Sequence, residues 1–203
     1  SQKNRIEDKN WNDTRKLIIL YSIASAMSAL HSQNIIHSHL KPSNIIIDAK
    51  SNPKVTDYFL SKSSFAKNST NGNRNTILYL PPEAINSSKY TKEGDIYSFA
   101  MIAYRMFSHE EPFDKISNIK ISQKVSNGVR PDFSYIPESY RLLIERCWSQ
   151  EPSKRPSFDQ IVSELQNNSG FITKNVNKEE FLNFVRNNEK QAKLFYSQIE
   201  SSE

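Results

Sequence analysis

From Leu17 to Leu30 apolar residues fill nearly every position, interrupted by Tyr21 and a few serines. No polar face recurs at helical spacing, so the pattern predicts a helix over 13–32 enclosed by protein on most sides, with Asp13 as its N-cap. The run is shorter than the ~20 residues a membrane helix needs, and reads as a central core helix. Short β-type runs follow at Asn34-Ile35-Ile36, Ile45-Ile46-Ile47 and Lys54-Val55-Thr56. The last two flank Ala49-Lys50-Ser51-Asn52-Pro53, whose Asn-Pro marks a turn, and together they predict a small hairpin. From Ser61 to Thr76 the chain is Ser, Asn, Lys and Thr with almost no apolar residue. Such a segment buries too little to order itself and predicts a mobile loop.

Helical spacing returns with Ile96, Phe99, Ala100, Ala103 and Phe107, one face of a helix starting near Asp95. A polar stretch over 108–137 contains Pro112, Pro131 and Pro137, and a further helix runs through Leu142, Leu143, Ile144 and Trp148. Ser157-Phe158-Asp159-Gln160 has capping-box form, and Phe158, Ile161, Val162 and Leu165 stripe the helix it opens. After Asn167-Asn168-Ser169-Gly170 the composition shifts. Asn177 with Glu180 predicts a capped helix to about Ile199, striped by Phe181, Phe184, Val185, Ala192, Phe195 and Ile199. Packing on the chain's own core is the first reading of that stripe, and a docking helix for a partner is the second.

Composition narrows the class. The chain has 203 residues, 36% hydrophobic and 24% charged, enough to bury a core. Cys147 is the single cysteine, which excludes an internal disulfide or a paired-cysteine zinc site and fits a reducing compartment. No charged start with a short apolar stretch and cleavage site opens the sequence, so the expectation is a soluble cytoplasmic protein without membrane contact. The net charge of +5 comes from scattered residues, with no basic block to form a nucleic-acid arm.

Four groups of residues carry candidate chemistry. His37-Ser38-His39-Leu40-Lys41-Pro42-Ser43-Asn44 resembles the catalytic loop of protein kinases, H-R-D-L-x-x-x-N. Lys54-Val55-Thr56-Asp57-Tyr58-Phe59 is similar to the strand that ends in D-F-G, and Tyr79-Leu80-Pro81-Pro82-Glu83 to the A-P-E segment. Asp95-Ile96-Tyr97-Ser98-Phe99-Ala100, Glu110-Glu111-Pro112-Phe113 and Cys147-Trp148 through Lys154-Arg155-Pro156 resemble later landmarks of that family, in order over 11–166. Trp11, the Ile-Tyr-Ser-Phe phrase and the Cys-Trp phrase resemble its tyrosine-kinase-like branch. The resemblance implies a mainly α fold: the helical C-terminal lobe of a protein-kinase-like fold with a small β-hairpin, plus a C-terminal helical extension. Residues 1–12 would lead into a lobe over 13–168, with the catalytic loop at 37–44 and the activation segment at 57–83, and 169–203 would form the extension. The Gly-rich loop, strand lysine and pairing glutamate of the smaller lobe are expected to be absent from this chain.

In the family an Asp accepts the substrate hydroxyl proton, an Asn and a second Asp hold Mg²⁺, and a Lys neutralises developing charge. The resemblance carries these roles onto Lys41, Asn44 and Asp57, with ATP and Mg²⁺ as implied cofactors. The base position holds His39, a degenerate replacement, because imidazole places its nitrogen on a longer and differently directed arm than a carboxylate. Ser38 stands where an Arg would receive an activation-loop phosphate. Phe59 stands where the family has Gly, which resists the backbone freedom a switching Asp57 needs. His37 reads as a structural histidine, Glu83 and Arg155 as a buried ion pair, and Asp95 as a brace for the catalytic loop. Scaffold residues match while chemical ones do not. The resulting expectation is a protein-kinase-like domain, catalytically impaired, acting in signalling through protein binding. A fragment of an active ATP-dependent Ser/Thr or Tyr kinase is the alternative, and a basic nucleic-acid-binding module the second. Ser61, Ser63, Ser64, Ser69, Thr70 and Thr76 invite a phosphoregulation reading, against which stands the loss of the Arg receiver at Ser38.

Overall fold

The computed structural model describes residues 11–48, 52–57 and 74–200, with side chains to 191. Its first helix, α1 (Asp13–Ser32), is the predicted core helix, and Leu17, Ile19, Leu20, Ile23, Ala24 and Met27 are fully buried. The N-cap is Asn12 and not Asp13: the Asn12 side chain accepts from the Arg15 amide at 2.8 Å, which moves Asp13 into the first turn. Asn34-Ile35-Ile36 is not a strand. The Asn34 and Ile35 amides donate back to His31 and Leu30 carbonyls, and Asn34 takes a left-handed φ of 57°, so the run closes the helix end.

The hairpin pairs β1 (Ile45–Ile47) with β2 (Pro53–Val55) in antiparallel register, Ile45 opposite Val55 and Ile47 opposite Pro53. Proline opens β2, where a missing N–H is tolerated. Strand pairing ends at Val55 because the Thr56 amide and hydroxyl both donate to the Asn44 carbonyl, at 2.9 and 3.2 Å. The predicted loop over 61–76 is shortened at its end, since α2 (Arg74–Ile77) begins at Arg74; residues 61–73 lie outside the described residues.

Next come α3 (Pro82–Ser87), with proline at its first position, and α4 (Lys92–Ser108). The α4 start lies three residues before Asp95, at the Thr91 cap, whose hydroxyl accepts from the Gly94 amide at 3.1 Å. Residues Ile96 through Tyr104 are all buried. Within the polar stretch lies an unpredicted helix, α5 (Asn118–Ser126), anchored by only Ile121 and Val125, which are i,i+4 neighbours on one face. Then follow α6 (Glu138–Cys147) and α7 (Phe158–Asn167). In α6 Leu143, Ile144 and Cys147 face the core while Leu142 is half exposed. Both bonds of the Ser157–Gln160 capping box are made. Gly170 follows in a 3₁₀ turn, where a Cβ would lie 2.3 Å from the Ser139 hydroxyl of α6.

The last helix, α8 (Lys178–Glu200), is capped by Asn177, which accepts from the Glu180 amide at 3.1 Å. It packs on the chain's own core: Phe181 and Phe184 meet the Tyr21 ring edge to face at 5.8 and 6.4 Å, and Phe181 and Val185 are buried. This cover explains why α1 has no polar face. The side chains of Ala192, Phe195 and Ile199 lie outside the described ones. Phe158 of α7 packs against both Phe99 of α4 and His31 of α1, at 5.6 and 5.1 Å, joining the helices into one core. No described helix is long and apolar enough to cross a membrane. The architecture is mainly α, a helical lobe with one small hairpin.

Candidate active site

The 37–44 loop leaves the end of α1 and re-enters the fold through a 3₁₀ turn, Pro42–Asn44, that feeds β1. Asp95, 2% exposed on α4, organises its start. One carboxylate oxygen accepts from the His37 amide at 2.8 Å and lies 2.9 Å from His31 Nε2; the other accepts from the Ser38 amide at 2.8 Å. Ser38 has φ 66°, a left-handed conformation a side chain disfavours. The carboxylate holds it there.

His37 is 1% exposed. Its Nδ1 accepts from the His39 amide at 3.2 Å, which leaves the proton on Nε2 to donate to the Thr56 carbonyl at 2.9 Å. Burial pushes its pKa down, against the pull of Asp95, so the ring is a neutral tie between the loop and the exit of β2. Asp57, next after Thr56, also takes a left-handed φ of 66°.

His39 sits in the loop's interior. The Asn44 amide nitrogen donates to the His39 carbonyl at 2.9 Å and lies 3.4 Å from its Nδ1, while Nε2 lies 3.3 Å from the Thr76 hydroxyl. Lys41 Nζ donates to that same hydroxyl at 3.2 Å. Burial first, then the positive charge of Lys41 and the neighbouring His37, lower the His39 pKa from 6.5 to about 4, with Asp57 opposing. His39 is therefore neutral near pH 7. Thr76 is the residue the sequence reading undervalued by grouping it with the loop hydroxyls. Its signal in the sequence is its place directly before the buried apolar run Ile77-Leu78-Tyr79-Leu80, beside which Thr76 is half-buried.

The base of the activation segment is tied separately. Arg155 contributes a fully buried side chain whose Nη1 and Nη2 donate to the two Glu83 oxygens at 2.7 and 3.0 Å. Its remaining donors reach the Ser149 and Glu93 carbonyls at 3.0 and 2.9 Å, and its guanidinium stacks on Tyr97 at 5.3 Å. Nearby, Arg105 donates to the Tyr79 hydroxyl at 3.1 Å and to Glu111 at 2.9 Å.

Of the residues singled out from sequence, His37, His39, Lys41 and Asn44 thus share one loop braced by Asp95, with Asp57 at the end of the paired strand, and Glu83 with Arg155 forms a second anchor. Phe59 lies outside the described residues. Asn44 and Asp57 are oxygen ligands of the kind Mg²⁺ takes; among the described residues no three His, Cys, Asp or Glu side chains form a metal cluster.

A helical lobe whose catalytic-type loop is pinned by a buried aspartate and whose downstream segment is locked by a buried Glu–Arg pair defines the phosphotransferase scaffold class. The family described as "Protein kinase domain" matches residues 3–165, and the chain belongs to the protein kinase family, whose chemistry uses ATP and Mg²⁺. It is similar to the "RGS domain-containing serine/threonine-protein kinase A" of Dictyostelium discoideum, 34% identical over 163 residues, covering 80% of this chain and 14% of that protein. A "Probable LIM domain-containing serine/threonine-protein kinase" of the same organism is 33% identical over 164 residues, covering 80% of this chain and 25% of that protein. The chain spans a quarter or less of the length of these curated relatives.

Proposed function

We propose that this chain is a protein-kinase lobe of the tyrosine-kinase-like branch whose phosphoryl transfer is impaired and which acts in cytoplasmic signalling by binding proteins. The observation that carries the reading is His39. A carboxylate at that position would take up a proton and become neutral; imidazole would become a cation beside Lys41, the direction its lowered pKa opposes. Both ring nitrogens also face partners of the chain itself, Asn44 in the same loop and Thr76 on α2. The retained scaffold, Asp95 on the loop and Arg155 on Glu83, favours a role that needs the shape of the lobe.

The second reading is a piece of an active enzyme. It is favoured by Lys41, Asn44 and Asp57 at matching positions, where Asn44 and Asp57 would hold Mg²⁺ and Lys41 would meet phosphate charge, and by the serine/threonine specificity in the relatives' names. The two readings separate in a transfer assay with γ-labelled ATP, Mg²⁺ and Ser-, Thr- and Tyr-containing peptides. The proposal expects no transfer above that of His39→Ala. Transfer by the unaltered chain above that control overturns it.

A further inference from the structure

Ile121 and Val125 are the only buried side chains of α5, yet its C-terminal end is fixed from three directions. The Ser126 hydroxyl donates to the Asn86 side chain of α3 at 2.6 Å, Gln150 Nε2 to the Ser126 carbonyl at 3.0 Å, and Arg130 Nη1 to the Val125 carbonyl at 3.3 Å. Ile119 and Gln123 stand on the opposite face, with Lys120 beside them and Lys124 one turn further on. Ile119 is 73% exposed, more than any other large apolar side chain among the described residues. A β-branched residue at a solvent-facing position adds nothing to the helix, and its wetted surface carries a free-energy cost that a partner can remove. Around it the charge has one sign. No Asp or Glu lies on α5; Lys120 and Lys124 are exposed, and among the described residues neither pairs with a carboxylate. Lys115, just before the helix, is 91% exposed and lies 3.9 Å from Asp114. Three lysines thus lie on and beside one rigid face with an apolar centre.

We propose that the outer face of α5 is a docking surface for an acidic segment of another protein, with Ile119 as the apolar anchor and Lys120 and Lys124 as the charge contacts. The segment it fits carries an aliphatic or aromatic side chain that covers Ile119, flanked by carboxylates. Those carboxylates accept from the lysine ammonium groups, and the covered Ile119 supplies the non-polar part of the contact. Because Ser126, Gln150 and Arg130 already fix the face, docking orders little of this chain. A nucleic-acid backbone answers the lysines but leaves Ile119 facing charged phosphate, so the apolar centre favours a protein. The inference rests on the protein-binding reading above and gives it a surface and a partner chemistry.

Selection on the full chain from a display library of random peptides of about twelve residues is expected to recover peptides rich in Asp and Glu around one Leu, Ile or Phe. Their binding, read by fluorescence anisotropy, should weaken about tenfold in Lys120→Glu/Lys124→Glu and in Ile119→Ser, fall as salt rises, and survive in Lys120→Arg/Lys124→Arg. Each variant is expected to unfold at the temperature of the unaltered chain, since all three positions are exposed. Recovery of no acidic peptide overturns the docking surface. So does binding that charge reversal leaves unchanged, in which case peptides bind elsewhere on the lobe and the protein-binding reading stands. Full binding by Ile119→Ser, with an oligodeoxythymidine of matched charge held as tightly as the peptides, overturns it by showing a purely electrostatic contact. The reading of impaired transfer fails separately, by transfer above the His39→Ala control, an outcome this selection does not touch.

Discussion

Asp95 holds the Ser38 amide at 2.8 Å across 57 positions of sequence, and Ser38 is in the left-handed region with φ 66°. A conformation that costs about 1–2 kcal/mol for a residue with a side chain is thus fixed by a carboxylate that also takes the His37 amide. Asp95→Asn keeps the shape but turns an acceptor into a donor facing backbone donors. It is expected to destabilise the fold by about 3–5 kcal/mol, read by urea denaturation. A loss below about 1 kcal/mol would show that the loop holds its course without the brace.

Arg155 makes a two-oxygen grip on Glu83 with a side chain fully removed from solvent. Lysine keeps the charge and loses the fork geometry, so Arg155→Lys should still destabilise, and Arg155→Ala should cost about 3–5 kcal/mol by leaving Glu83 facing a void. Thermal unfolding of the two variants ranks them. Equal stability of Arg155→Lys and the unaltered chain would mean that charge alone anchors the segment.

How far the sequence spoke for itself follows from which interactions are local. The Ser157–Gln160 cap and the α4 stripe from Ile96 to Ala103 are written in spacing within one turn or two, and both form. The α5 helix escaped because only Ile121 and Val125 anchor it within a polar stretch. Asn34-Ile35-Ile36 has strand composition, yet the Asn34 and Ile35 amides close α1, and among the described residues no strand pairs with it. At the site, motif order located His37, His39, Lys41 and Asn44. What could not be read was the direction of side chains: that His39 and Lys41 both turn to Thr76, 37 and 35 positions away, is a property of the closed fold.

The C-terminal helix covers the face of α1 that carries Tyr21 and Ser25, taking the Tyr21 ring against Phe181 and Phe184 and the Ser25 hydroxyl against Asn188. Phe181, fully buried against the Tyr21 ring, is the centre of that contact. Phe181→Ala is expected to cost about 3–5 kcal/mol, which for a chain of this size lowers Tm by roughly 6–20 °C. Removing residues 169–203 should expose the same face and give a protein that binds a hydrophobic dye or aggregates. A truncated chain that unfolds cooperatively at the same temperature would show the helix to be dispensable.

The pH dependence of stability should carry the signature of His39. Its folded pKa of about 4 lies below the ordinary 6.5, so between these values the unfolded chain binds a proton that the folded chain does not. The contribution is fully present above pH 6.5 and is lost as pH falls through about 4; His37, shifted in the same direction by burial, adds to it. For a ring only partly shielded from solvent the His39 share is on the order of 1–2 kcal/mol, or about 2–8 °C in Tm. Carboxylates titrate in the lower part of this window too, so the comparison is with His39→Gln, which keeps hydrogen-bonding groups but cannot gain a proton. The gap in Tm between the unaltered chain and His39→Gln should shrink or reverse from pH 7.5 to pH 4.5. A gap independent of pH would mean that His39 keeps its ordinary proton affinity in the fold, and would remove the electrostatic ground for reading it as a poor base.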